Sequence, residues 1–283
     1  MDIALGLALG AMFFGALADL MYKVAQNKGI NAATFVLYQS LTFGIIIWAF
    51  GLIFGQLSGI IPSIWLFGPP IGVLSYLGIV LFVMSLKDGN VSVNAPIFGL
   101  NFVITSVMAV LILGEPVSLP KITGILLAVA AIVSLADLTS LRTTRTMAKS
   151  LILVLFAAVF FGIAGVFIKE GTNQGHETIP LVMTSTVGFV SSALLYTLIT
   201  RQLRPNHITI RLAPLVGVMQ LSFTLLLFQA LQTGDVSVIY PISQLARVLA
   251  AVLGVLFLKE LIKPRLIVGL GALTFSVIAF IFV

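Results

Sequence analysis

The chain has 283 residues, 60% of them hydrophobic and 8% charged, with a mean hydropathy of +1.20. Soluble domains carry about 25% charged residues, so this composition excludes a soluble globular protein and points to an all-α, polytopic integral membrane protein. The net charge of +6 does not imply nucleic acid, because the basic residues lie at the ends of apolar segments, and the lack of cysteine excludes disulfides, thiol chemistry and cysteine-based metal sites.

A helix needs roughly 20 apolar residues to cross a bilayer. Ten such segments can be read, over residues 3–23, 33–54, 66–86, 91–113, 119–139, 149–168, 178–200, 210–231, 236–258 and 263–283. Turn or charge signals such as "KDGN", "GEPVS", "KEGTNQGHET" and "QTGD" separate them. The runs are long and continuous, unlike the short alternating strands of a membrane barrel. The first segment has no basic n-region and no evident cleavage site, so it is expected to stay in the mature protein. Near its end Asp19 and Lys23 are spaced i, i+4, which suits an ion pair; the alternative is a proton-coupling carboxylate. Gly6–Gly10 and Gly51–Gly55 have the spacing that lets helices approach closely. Tyr38 in the second segment, Tyr76 in the third, Asn94 and Asn101 in the fourth and Gln220 in the eighth are candidate linings of a polar cavity. His176 and His207 fall in connections and are expected to be solvated. Glu115, Glu260 and the Lys169–Glu170 pair are expected to mark helix ends.

The connections between segments 1–2, 3–4, 5–6, 7–8 and 9–10 open on one side and hold twelve Lys and Arg residues; the other side holds Lys121 and Lys169. The richer side is expected to be cytoplasmic, which puts both termini on the non-cytoplasmic side of a prokaryotic plasma membrane, the inner membrane if the cell is Gram-negative.

Residues from Gly89, "GNVSVNAPIFGLNFVITSVMAVLILGEP", align without a gap on those from Gly234, "GDVSVIYPISQLARVLAAVLGVLFLKEL", at an offset of 145. Gly89, Ser92, Pro96, Glu115 and Gly124 match Gly234, Ser237, Pro241, Glu260 and Gly269, and "FFG" recurs at Phe13–Gly15 and Phe160–Gly162. Two five-helix units are therefore expected, residues 1–141 and 142–283. Five is odd, so the second would be inverted, a common transporter design. These doubled motifs resemble the drug/metabolite transporter superfamily, in particular its ten-helix EamA-type family, over the whole chain. The resemblance implies a central cavity between the halves and export of amino acids, metabolites or drugs. Phe14 and Phe161 stand where the family often has Trp, and "GQLSGIIPS" is uncharged where it often has a basic loop.

In the ninth segment Tyr240, Ser243, Gln244 and Arg247 lie at i, i+3, i+4 and i+7, the spacing of one helix face. Arg247 is far from either end of its segment, and an arginine facing lipid at mid-bilayer costs about 2.5 kcal/mol or more. Its face should therefore meet a wet cavity or a polar partner. No Asp or Glu is read at the same depth, so a substrate carboxylate or phosphate is the natural partner of the guanidinium; a packing role against backbone carbonyls is the alternative. Pro96 and Pro241 lack an N–H, which frees the carbonyls of Ser92 and Ser237, so helices 4 and 9 are expected to kink there, as a gate or as a fixed bend.

No metalloprotease, nucleophile-elbow or nucleotide-binding motif is present. No enzyme activity, cofactor or metal is expected. The sequence reads as a secondary transporter, an exporter of small amphipathic metabolites such as amino acids or other organic anions, complete as a monomer and partnered only by its substrate and the lipid bilayer. Efflux of cationic drugs is the nearest alternative, and a non-transporting receptor or scaffold the third.

Overall fold

The computed structural model describes residues 2–88, 94, 97–135, 145–258 and 264–283. Pro96 and Glu260 lie outside the described residues, and so does the side chain of Lys23. Among the described residues the chain is helical: α1 (Asp2–Asn27), α2 (Ala32–Ile53), α3 (Gly68–Asp88), α4 (Asn101–Leu113), α5 (Leu119–Leu135), α6 (Arg145–Asn173), α7 (Thr178–Ile199), α8 (His207–Thr233), α9 (Val236–Gln244), α10 (Ala246–Leu258) and α11 (Pro264–Ile281). Two 3-10 turns, Gln56–Gly59 and Pro62–Leu66, join α2 to α3.

Helices are the expected form for such apolar runs, because each backbone N–H and C=O must be satisfied within the segment where no water is present. Among the described residues seven spans are long and apolar enough to cross a membrane: Ile3–Tyr22, Ala32–Ile53, Pro62–Phe82, Lys149–Asn173, Thr178–Ile199, His207–Thr233 and Val236–Gly254. Ile97–Leu113, Leu119–Ser134 and Ile267–Ile281 are shorter apolar helices. Leu52, Leu111, Phe257 and Phe275 are exposed, as lipid-facing side chains are.

Local chemistry sets the ends. Asn31 and Asn206 accept from the N–H groups of Thr34 (3.2 Å) and Thr209 (2.8 Å), capping α2 and α8. Gly114 ends α4 in the left-handed region at φ 67°, and the N–H of Glu115 returns to the carbonyl of Ala109 at 3.3 Å. This is the closure a glycine C-cap permits, and it turns Glu115 back toward the helical body.

The first and second halves of the chain interlock. α3 packs on α6 and α7, α8 packs on α1 and α2, α4 lies against α6 and α9, and α5 pairs with α11. Gly72 and Gly188 let α3 and α7 meet backbone to backbone: a Cβ on Gly72 would overlap Ser185 O, and one on Gly188 would overlap Pro69 O. Of the glycine pairs read from spacing, Gly10 faces Leu226 and Gly51 faces Met183, whereas Gly6 and Gly55 face open space. His176 is buried against Phe67, with ring centroids 5.5 Å apart, and is not solvated.

Candidate functional site

The ninth apolar segment is not one helix. Its hydrogen bonding tightens at Leu245, which keeps a right-handed helical backbone (φ −65°, ψ −6°) but shares its N–H between Pro241 O and Ile242 O at 3.2 Å each, while Val248 and Leu249 bond to Leu245 O at 3.0 and 3.2 Å as α10 begins. The fourth segment does the same at Leu100, whose N–H bonds to Ile97 O at 3.1 Å while Val103 bonds to Leu100 O at 2.9 Å. Leu100 and Leu245 are 145 residues apart, which is the offset of the sequence repeat. The two interruptions are equivalent, and each follows a proline of the repeat by four residues.

The interruptions are joined by side chains. Asn101, the first residue of α4, donates through Nδ2 to Phe98 O (2.8 Å) and to Gln244 Oε1 (3.2 Å). Arg247, at the start of α10, donates to the same Gln244 oxygen at 2.6 Å. Its guanidinium stands 5.0 Å from the ring centre of Phe98, within cation–π range. A Cβ on Gly99 would come within 2.7 Å of Arg247 Cδ, so the glycine makes room for the arginine. Tyr240 and Ser243 lie on the α9 side and are buried; Ser243 donates to Tyr240 O at 2.7 Å, and the Tyr240 hydroxyl faces Phe161 O at 3.5 Å.

Two features leave this network incomplete. Asn101 Oδ1 is buried and has no hydrogen-bond partner. Arg247 carries five N–H donors, of which one hydrogen bond to a side chain is made among the described residues. α1, which carries Asp19, packs on α10, which carries Arg247, and the two side chains form no ion pair at contact distance. α1 continues to Asn27, so Asp19 lies about two turns inside its helix rather than near the end.

The remaining candidates are placed elsewhere. Asn94 donates to Ser150 Oγ (2.7 Å) and to Ser85 O and Oγ (3.0 Å each), tying α3 to α6. Tyr76 packs edge-on against Phe189 with centroids 5.5 Å apart. Tyr38 belongs to a small cluster around Phe35 and Ala213. Gln220 makes no hydrogen bond with the network among the described residues. Two shallow cavities, of about 400 and 430 Å³, open at the α1–α2 and α7–α8 connections, one lined by Asn31, Thr34, Arg201 and Arg204 and the other by Lys28, His207 and Arg211. Neither reaches Arg247.

Spacing alone did not single out Phe98 and Gly99, whose relation to Arg247 depends on how two distant segments pack. Glu115 was also underestimated. Its carboxylate reaches the start of α9, accepting from Val236 N–H at 2.7 Å, from Ser237 N–H at 3.1 Å and from the Ser237 hydroxyl.

Comparison with known proteins agrees with this architecture. The model of the EamA-like transporter family matches residues 2–136 and again 148–282. An uncharacterized protein of Methanocaldococcus jannaschii is 24% identical over 132 residues, 47% of this chain and 96% of that protein. A solved crystal structure superposes with a TM-score of 0.80 at 15% identity, covering 98% of this chain and 94% of that one. At that identity the likeness speaks for the fold alone.

Proposed function

The chain belongs to the EamA-like transporter family, and on that premise we propose that it is a secondary transporter exporting small amphipathic metabolites, amino acids or other organic anions, by alternating access. The observation that carries this reading is the pair of equivalent helix interruptions at Leu100 and Leu245, bridged by Asn101, Gln244 and Arg247. Interrupted helices at matching positions of two repeats mark substrate sites in transporters, and the N-terminal end of a half-helix favours an anionic group through its dipole. Arg247 adds open, directed donors for a carboxylate. The unpaired Asn101 Oδ1 asks for a donor on the same ligand, as an ammonium or hydroxyl would supply.

Ten membrane-spanning helices in two inverted five-helix units fit the packing, since α3 on α6 and α8 on α1 are the same pairing with the halves exchanged. Both termini then lie on the non-cytoplasmic side of a prokaryotic plasma membrane, and one chain completes the site. The driving force is the membrane potential, a proton or the substrate gradient.

Efflux of cationic compounds is the second reading, and Asp19 is the observation in its favour, because α1, which carries this carboxyl, packs on the helix of Arg247. Transport into proteoliposomes decides among the readings. We expect flux of amphipathic acids, reduced about tenfold or more by Arg247→Gln, as the loss of a charge-assisted contact implies. Flux of amines that depends on Asp19 and not on Arg247 would favour cation efflux. No flux of any solute would favour a receptor or scaffold.

A further inference from the structure

At the end of α9 opposite the Arg247 network, charged side chains from the two halves of the chain meet. From the first half come Glu115, just past α4, and Lys121, in the first turn of α5. From the second half come Asp235 and the first-turn amides of Val236 and Ser237, both buried, at the N-terminus of α9. Glu115 takes both amides and the Ser237 hydroxyl. A carboxylate is the group best suited to those orphan donors and to the positive end of the helix dipole. Lys121 donates to Asp235 Oδ2 and to Pro116 O, both at 2.7 Å, and its Nζ stands 3.8 Å from Glu115 Oε2. Behind them Lys169, on α6, donates to Leu231 O and Gly234 O at 2.9 Å each and so holds the turn that leads into α9.

We propose that Glu115, Lys121, Asp235 and Ser237 form a clasp between the two halves, which closes one mouth of the substrate pathway and must release for that mouth to open. The proposal rests on the transporter reading above. Three observations carry it. First, the bonds cross from one half of the chain to the other, so relative movement of the halves has to break them. Second, α9 is only nine residues long. It is bounded by Gly234 on one side and by the interruption at Leu245 on the other, so it can swing as a short rigid unit with Tyr240, Ser243 and Gln244 on it. Third, the clasp is ionic and its edge is open: the Asp235 side chain is 38% exposed while that of Lys121 is 2% exposed. Buried ion pairs give up much of their attraction to desolvation. Water entering at Asp235 can therefore replace the protein partners at small net cost, as a two-state gate requires. A purely apolar seal would lack that exchange. Ser237 and Leu245 are separated by roughly 12 Å along the helix at 1.5 Å per residue, which sets the clasp apart from the Arg247 network.

The natural absence of cysteine makes the test direct. Ser243→Cys puts a reporter thiol on α9 at a buried position. Its labelling by a membrane-impermeant maleimide is timed in vesicles, with reagent on the clasp face or on the opposite face. We expect slow labelling from the clasp face with the clasp intact. Adding Glu115→Gln should accelerate it about tenfold or more, the scale of losing one charge-assisted hydrogen bond. Asp235→Asn, a milder change at the half-exposed partner, should accelerate it less but measurably, and it keeps the test decisive if Glu115→Gln does not fold. Unchanged labelling in a folded variant, or acceleration equal from both faces, would overturn the clasp and leave these residues as a fixed cap. The assay needs no substrate. With flux read on the native protein, acceleration in a chain that transports nothing would leave a releasable latch between the halves but remove its role at a substrate mouth together with the transporter reading, whereas acid flux with unchanged labelling would remove the clasp alone.

Discussion

Two polar clusters lie at the two ends of α9, and they differ in how completely their groups are paired. At the Val236 end Glu115 accepts three hydrogen bonds, and Lys121 and Lys169 each donate two. At the Gln244 end Asn101 Oδ1 has no partner, and Arg247 makes one side-chain hydrogen bond. An unpaired polar group costs more in a low-dielectric interior than in water. The cluster around Glu115 is paired within the chain, whereas the one around Arg247 keeps polar groups that, on the proposed function, a ligand would complete. The two clusters sit at opposite ends of one nine-residue helix.

The strongest way to break this comparison is Glu115→Ala. It leaves two amides and a hydroxyl without their acceptor and removes the carboxylate 3.8 Å from Lys121 Nζ, and breaking a buried charged cluster costs about 3–5 kcal/mol. Thermal unfolding of the purified protein should show that loss; a cost below about 1 kcal/mol would mean the cluster does not hold α9. Gly99→Ala comes next. The added methyl meets Arg247 Cδ at 2.7 Å, and overpacking of this kind costs about 1–3 kcal/mol. Its distinctive outcome is weaker acid binding by titration calorimetry, because Arg247 is pushed off its position; unchanged binding would detach the arginine's placement from its role. Phe98→Leu removes the ring under the guanidinium and should cost about 0.5–2 kcal/mol, again read in acid affinity. Gly6→Ala should be the smallest, within about 0.5 kcal/mol, since nothing lies near an added methyl there. A large loss would instead mark Gly6 as a contact with a second copy.

The helical body was legible because a membrane-spanning segment must be a long apolar run, and those runs stand out in a chain with 8% charged residues. The site was legible only in part. Gln244 and Arg247 meet at their i, i+3 spacing, across the tightened turn at Leu245 that the spacing does not announce. Asn94 and Asn101, seven residues apart, take different partners: Asn94 turns to Ser85 and Ser150, and Asn101 to Phe98 and Gln244. The sequence displays the prolines, but not how far downstream the helix gives way, since that depends on which carbonyls find other donors. Glu115 reads as a helix end in one dimension. Its partners are 121 and 122 residues away, and no local spacing announces them.

The central claim is that Arg247 binds the anionic group of a substrate. It is tested most directly by thermal shift, pairing each amphipathic acid with its neutral amide and its amine, on the native protein and on Arg247→Gln. The account predicts stabilisation by the acids alone, lost in Arg247→Gln, while the unliganded variant unfolds within about 1 kcal/mol of the native protein, as a replacement that keeps a hydrogen-bonding group allows. Stabilisation by amines, or by acids to the same extent in Arg247→Gln, would contradict it and leave Arg247 as a packing residue at the interruption.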